Sequence, residues 1–153
     1  MSERPLVLLV TCAGLAEGEP GYAAALDAAG RRLDERLVVR GDFGQESGAA
    51  AMRTLLENDP DLDAVFCAND LMALGALQTL RDAGRKVPQD VAVVGFEDAP
   101  VALSAHPPLT TVHQSPEQMG REMVALLLET MADPDEDRPG RMLPTHLVVR
   151  DSS

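Results

Sequence analysis

The chain has 153 residues, of which 45% are hydrophobic and 25% charged, enough for one packed core and far from the composition of a disordered chain. Its formal charge of -12 excludes nucleic-acid binding through this segment, because phosphate contacts need clustered Lys and Arg. The apolar run Leu6 to Val10 is far too short for a membrane span and lacks a signal-peptide layout, so the sequence reads as cytoplasmic.

Leu6 to Val10 is bounded by Pro5 and the small residues Ala13 and Gly14, as expected of a central parallel strand. Gly21 to Ala29 follows with Tyr22, Ala25, Leu26 and Ala29 at helical spacing and Gly30 as its stop. A second strand is predicted over Arg36 to Arg40, and a second helix over Glu46 to Asn58 with Ala49, Met52, Leu55 and Leu56 inward. Asp63 to Ala68 is a third strand, and Asn69 or Asp70 caps a third helix that runs to Ala83 before Gly84. Val91 to Gly95 is a fourth strand. Strands alternating with helices across short loops predict right-handed crossovers and a doubly wound, Rossmann-like parallel sheet with helices on both faces.

After residue 108 the rhythm changes. Leu109 to His113 reads as a short strand. Ser115-Pro-Glu-Gln118 opens a helix with Pro at its first position and a capping box, and that helix carries Met119, Met123, Leu126, Leu127 and Met131 on one stripe. A Pro- and Asp-rich loop, Asp133 to Gly140, precedes a last strand around Leu147 to Val149.

The helix from Asp70 to Ala83 has two apolar faces, made by Leu71, Met72, Ala73, Leu74, Ala76, Leu77 and Leu80. One face can lie on the sheet. A partner subunit is expected on the other, which makes Met72, Ala73, Ala76, Leu77 and Leu80, with the segment Ala99 to Pro107, the predicted homodimer interface.

Ligands of open parallel sheets bind beyond the carboxyl ends of the strands, so the residues after each strand are the first candidates. Phe43, one of three Phe in a chain without Trp, offers a flat ring for a sugar or a base, with core packing as the alternative. Asn69 can donate to and accept from hydroxyls or can simply cap its helix. Glu97 and Asp98 can accept from ligand hydroxyls, coordinate a metal or form a solvated turn. His106, His113 and His146 have no Cys or carboxylate at metal-ligand spacing, and there is no P-loop or nucleophile elbow. Cys12 and Cys67 are too few for a disulfide framework and are expected as free buried thiols. No catalytic set, metal site or cofactor is predicted.

Several phrases taken together point further: Gly41-Asp-Phe43 with Glu46-Ser-Gly48, Ala64-Val-Phe-Cys-Ala-Asn-Asp-Leu-Met-Ala-Leu-Gly-Ala-Leu77, Val87-Pro-Gln-Asp-Val-Ala-Val-Val-Gly-Phe-Glu-Asp98, Pro108-Leu-Thr-Thr-Val-His-Gln114, Met119-Gly120, and Leu143-Pro-Thr-His-Leu-Val-Val-Arg150. In that order and spacing the chain resembles the LacI/GalR family of repressors, whose effector region looks like the periplasmic sugar-binding proteins. The resemblance implies a transcription regulator with an N-terminal helix-turn-helix, a hinge, and two α/β subdomains that close on a small effector. It divides this chain into 1–108, the C-terminal subdomain; 109–140, a crossover and a helix belonging with the first subdomain; and 141–153, a strand returning to the C-terminal subdomain. The headpiece and most of the first subdomain are then expected to lie outside a truncated chain, so that operator DNA is met only through the missing headpiece.

Carried over residue by residue, Phe43 matches the aromatic that stacks on the ligand and Asn69 the cleft amide. Gln114 lies at the last crossover, and Glu97 stands where the family more often has Asp. Gly18 stands where many relatives place a ligand-binding Arg, whose fork of donors a glycine cannot supply. The resemblance implies effector sensing, repression in the family's manner, and dimerisation without catalysis, with a sugar-like effector. A solute-binding protein of a transport system is the alternative, and a small α/β enzyme a third reading that lacks a convergent acid, base or metal set.

Overall fold

The computed structural model describes residues 6–11, 18–134 and 136–153, with side chains from Gly21 onward. The alternation legible in the sequence becomes β1 (Leu6–Thr11), α1 (Gly18–Ala28), β2 (Val38–Gly41), α2 (Gln45–Asn58), β3 (Ala64–Cys67), α3 (Asp70–Asp82), β4 (Ala92–Glu97), α4 (Pro100–Ser104), β5 (Thr110–His113), α5 (Pro116–Ala132) and β6 (His146–Val148). The sheet order is β2-β1-β3-β4-β5-β6, parallel as far as β5, with β6 antiparallel at the edge. The chain moves from β1 to β2 on one side and crosses to β3 on the other. The carboxyl ends of β1 and β3 therefore flank the reversal of strand order at which such sheets hold ligands.

Helix ends follow the local chemistry. The Asn69 side chain accepts from the Met72 N–H at 2.9 Å to cap α3, and Ser115 accepts from the Gln118 N–H at 3.2 Å with Pro116 at the first turn of α5. Gly30 and Gly84, which follow α1 and α3, have φ of 70° and 72°, the left-handed conformation that glycine adopts without a Cβ clash. The short α4 escapes sequence periodicity because five residues complete barely more than one turn.

Packing of α3 corrects the expected dimer interface. Met72, Ala73, Ala76 and Leu80 are fully buried and Leu77 is only 3% exposed, all within one subunit's core alongside Leu55, Leu62, Val65, Val93 and Leu109. The second apolar face of α3 is covered by α2. Two glycines make this possible. A Cβ on Gly48 would lie 2.3 Å from the Met72 carbonyl oxygen, and one on Gly75 would lie 2.0 Å from the Gln45 carbonyl oxygen. The helices touch backbone to backbone, and a partner subunit is not needed to explain these five side chains.

One more expectation changes. β5, placed by sequence in the crossover segment 109–140, pairs with β4 as a full parallel strand, so the sheet extends past residue 108. Helix α5 has no buried residue, and Met123, Val124, Leu127, Leu128 and Met131 are exposed. Cys67 is a free buried thiol whose pKa is pushed well above the ordinary thiol range by burial and then by the charge of Asp70; Cys12 lies outside the described residues.

Candidate effector site at the carboxyl edge of the sheet

Phe43, Asn69, Glu97 and Gln114 follow or end β2, β3, β4 and β5, so all four stand at the carboxyl edge of the parallel strands. Phe43 sits in a turn built by its neighbours. The Asp42 carboxylate accepts from the Gly44 N–H at 2.9 Å, the Asp42 N–H donates to Ser47 Oγ at 3.1 Å, and the Ser47 hydroxyl donates to the Gly44 carbonyl at 2.9 Å. These bonds hold Phe43 at φ 67°, and its side chain is half-buried instead of sunk in the core. Hydrogen bonding to Ser47 and to the Gly44 N–H also holds the Asp42 carboxyl below the usual range.

Asn69 does two jobs at once. Its Oδ1 caps α3, and its Nδ2 donates to the Phe43 carbonyl at 2.9 Å, tying the β2 exit to the β3 exit. Both readings of Asn69 from sequence are thus compatible, because an amide has two donors and two acceptor sites.

Glu97 and Asp98 form the turn after β4, with φ of 105° and 57°. Backbone of this kind in residues with a Cβ costs on the order of 1 to 3 kcal/mol each and persists only where its surroundings enforce it. The enforcing groups were not singled out by sequence: Asp70, Thr111, His113 and Arg150. Asp70 accepts from the Thr111 hydroxyl at 2.6 Å and from the Ala99 N–H at 2.7 Å. Asp98 accepts from Arg150 Nη2 at 2.6 Å and lies 3.0 Å from His113 Nδ1. Burial pushes Asp98 up, but the bonds and charges of Arg150 and His113 outweigh it, and the carboxyl lies below its ordinary range. Asp70 goes the other way, with burial dominating over its hydrogen bonds, and Glu97 is raised by burial and then by the charge of Asp70. The sequence signal for this cluster was faint, since its members are spread over residues 70 to 150 and meet only in the folded sheet.

Gln114 belongs to a neighbouring feature. It lines a cavity of about 360 Å³ with Ser115, Gln118, Met119, Met123 and Leu143, between the start of α5 and the returning segment. Glu97 and His113 are register partners, so Gln114 follows the residue paired with Glu97 at the end of β5. Gly18 is the first residue of α1. Among the described residues there is no group of three His, Cys, Asp or Glu placed to hold a metal, and no helix long and apolar enough to cross a membrane.

A sheet of this order with polar groups gathered at the carboxyl ends of its parallel strands agrees with the comparison to known proteins. Residues 13–153 match the family described as "Periplasmic binding protein-like domain". The chain belongs to that family. Its relatives are LacI-family regulators. It is 54% identical over 132 residues to the HTH-type transcriptional regulator CelR of Thermobifida fusca, covering 86% of this chain and 39% of CelR. It is 38% identical over 133 residues to the HTH-type transcriptional repressor CytR of Escherichia coli K12, covering 87% of this chain and 39% of CytR. Among solved structures, a transcriptional regulator CelR–cellobiose complex superposes with a TM-score of 0.84 at 51% identity, over 95% of this chain and 46% of that one. A putative LacI-family regulator from Sanguibacter keddieii gives 0.83 at 38% identity, over 97% of this chain and 58% of that one. This periplasmic-binding-protein-like chain thus spans about two-fifths of the length of the curated relatives it matches.

Proposed function

We propose that this chain is the effector-sensing part of a LacI-type transcription regulator, cytoplasmic and without catalytic activity of its own, whose effector is a small carbohydrate or related polar metabolite. The observation that supports the reading is the position of Phe43, Asn69 and Glu97 at the carboxyl ends of β2, β3 and β4, with Asn69 tied to Phe43 by a hydrogen bond. These strands belong to a fold shared at 51% identity with a regulator solved with cellobiose. The Phe43 ring supplies a face for the apolar side of a pyranose, Asn69 retains one N–H and a lone pair beyond its two bonds, and the Glu97 carboxylate accepts from hydroxyls. Gly18 brings no guanidinium to the site, so recognition falls to these neutral and acceptor groups.

An effector that favours one arrangement of two subdomains shifts the population of that arrangement and hence the spacing of DNA-binding heads outside this segment. Regulators, and not uptake proteins, are the relatives named above, which favours this reading over a solute-binding protein of a transport system. The charge of -12 assigns operator contact to another part of the intact protein. A homodimer is part of the proposal, with contacts through the outer side of α3 and α4. There Leu71 and Leu103 are exposed, whereas the five residues first expected are not.

The test is calorimetric titration of the full-length regulator with cellobiose and, separately, adenine. Cellobiose binding that is lost in Phe43→Ala and in Asn69→Ala is expected. Adenine binding with no response to cellobiose would reject the carbohydrate reading. A salt-sensitive shift of duplex DNA by the 153-residue chain alone would reject the assignment of DNA contact elsewhere.

A further inference from the structure

Glu97 combines a tightly constrained backbone with a carboxylate that has no hydrogen-bond partner among the described residues. Its φ of 105° has no intrinsic support in a glutamate, and the following residue, Asp98, is left-handed as well. Among the described residues none hydrogen-bonds the Glu97 carboxylate. The constraint therefore does not serve a hydrogen bond made by the Glu97 carboxylate among the described residues.

The turn is enforced from three directions. Asp98 has both carboxylate oxygens occupied, Oδ1 by Arg150 at 2.6 Å and Oδ2 by His113 at 3.0 Å. Arg150 is itself fixed, because its Nη1 donates to the Leu109 carbonyl at 2.8 Å and its N–H donates to Thr110 Oγ1 at 2.8 Å. The Asp98 N–H faces Thr111 Oγ1 at 3.4 Å, and the next N–H, that of Ala99, is held by Asp70. Thr111 and His113 are two residues apart on β5, so both project from one face of that strand onto the turn.

We propose that Arg150 and His113 are positioning residues that, acting through Asp98, lock Glu97 in its left-handed backbone and so present its carboxylate to the effector. This rests on the reading of the carboxyl edge as the effector site. Arg and His act here as paired donors on one carboxylate, and a charge-assisted bond of each kind is directional enough to fix the rotation of the turn. The chain path gives the clamp a second consequence. His113 is the last residue of β5 before the chain leaves for α5, and Arg150 lies just beyond β6, on the path back. The outgoing and returning segments thus end on the same aspartate, and a displacement of α5 against the sheet pulls on the Glu97 turn from both. His146, the register partner of His113, stacks its ring 5.0 Å away and joins the two segments directly.

The experiment reads the Glu97 backbone without any ligand. In isotopically labelled chain, the one-bond Cα–Hα coupling and Cα shift of Glu97 report the sign of φ. The expected result is a left-handed signature in the wild type, lost in Arg150→Met, kept in Arg150→Lys and weakened in His113→Ala. An unchanged Glu97 signature in Arg150→Met overturns the proposal. If Arg150→Met does not fold, His113→Ala decides, and an unchanged signature there overturns it equally. With full-length protein and cellobiose as the probe, Arg150→Met is expected to weaken binding about ten-fold or more, and Arg150→Lys by no more than about three-fold. Wild-type affinity in Arg150→Met overturns the link to the effector. A wild type without affinity for cellobiose rejects the sugar reading instead, and the coupling measurement then settles the clamp.

Discussion

Helices α3 and α5 carry comparable apolar stripes, yet Met72, Ala73, Ala76, Leu77 and Leu80 of α3 are at most 3% exposed while Met123, Val124, Leu127, Leu128 and Met131 of α5 are between 57% and 70% exposed. The difference does not lie in the helices' own composition. It lies in what the chain brings to each. Helix α3 follows a central strand and receives α2 on its far side at backbone contact, through Gly48 and Gly75. Helix α5 follows β5, the neighbour of the edge strand β6, and is flanked by the returning segment, with Arg141 bonded to Glu122 and Glu129. An apolar stripe states that a face is to be covered; it does not state by what.

Ala76→Asp should give the largest effect, by placing a carboxylate at a position with no exposed surface. A loss on the order of 4 kcal/mol or more is expected, seen as unfolding by circular dichroism at any protein concentration. The same substitution in a dimer contact would instead leave a folded monomer, so a folded Ala76→Asp chain would break the contrast between the two helices. Gly48→Ala comes next. Its new Cβ would meet rigid backbone of Met72, and the α2–α3 seam must open, at a cost of about 2 to 3 kcal/mol in denaturant midpoint.

The third prediction concerns charge at the same end of the fold as the α3 cap. Because the folded Asp98 carboxyl lies below its ordinary range, its contribution to stability is present above the unfolded Asp pKa of about 3.9 and is lost as the pH falls through the lower folded value. Asp98→Asn should therefore be less stable than wild type by about 1 kcal/mol near neutral pH, with the gap closing in acid. Thermal melts between neutral pH and acid check it, and a gap that widens in acid would contradict the sign. The smallest effect on stability belongs to α5. Leu127→Glu is expected to change it by no more than about 0.5 kcal/mol while reducing self-association of the isolated chain in light scattering. A loss of several kcal/mol would mean that this face is covered within the subunit.

Much of the fold could be read from residue order. Apolar runs bounded by glycine and proline marked the strands, and Asn69, Ser115 and Pro116 marked helix starts through bonds that lie within a few residues. Phe43, Asn69 and Glu97 were legible as site candidates because a parallel sheet places the residues after its strands on one edge. The phrases around them carried the family resemblance as well.

What lay beyond reach of the sequence depends on contacts between distant segments. That β5 joins the sheet, and that α2 rather than a partner covers α3, follow from which surfaces pack, and a periodicity count contains no such information. The clamp on Asp98 joins residues 98, 113 and 150, and its strength comes from the low exposure and angular fit of the groups it assembles. By itself the sequence determined local hydrogen bonding, the alternation of elements and the edge on which polar residues would gather, because those are set by neighbours in the chain. Only the tertiary structure decided which apolar faces find partners and that the Asp98 carboxylate is held by Arg150 and His113, because burial and charge pairing are properties of the packed sheet.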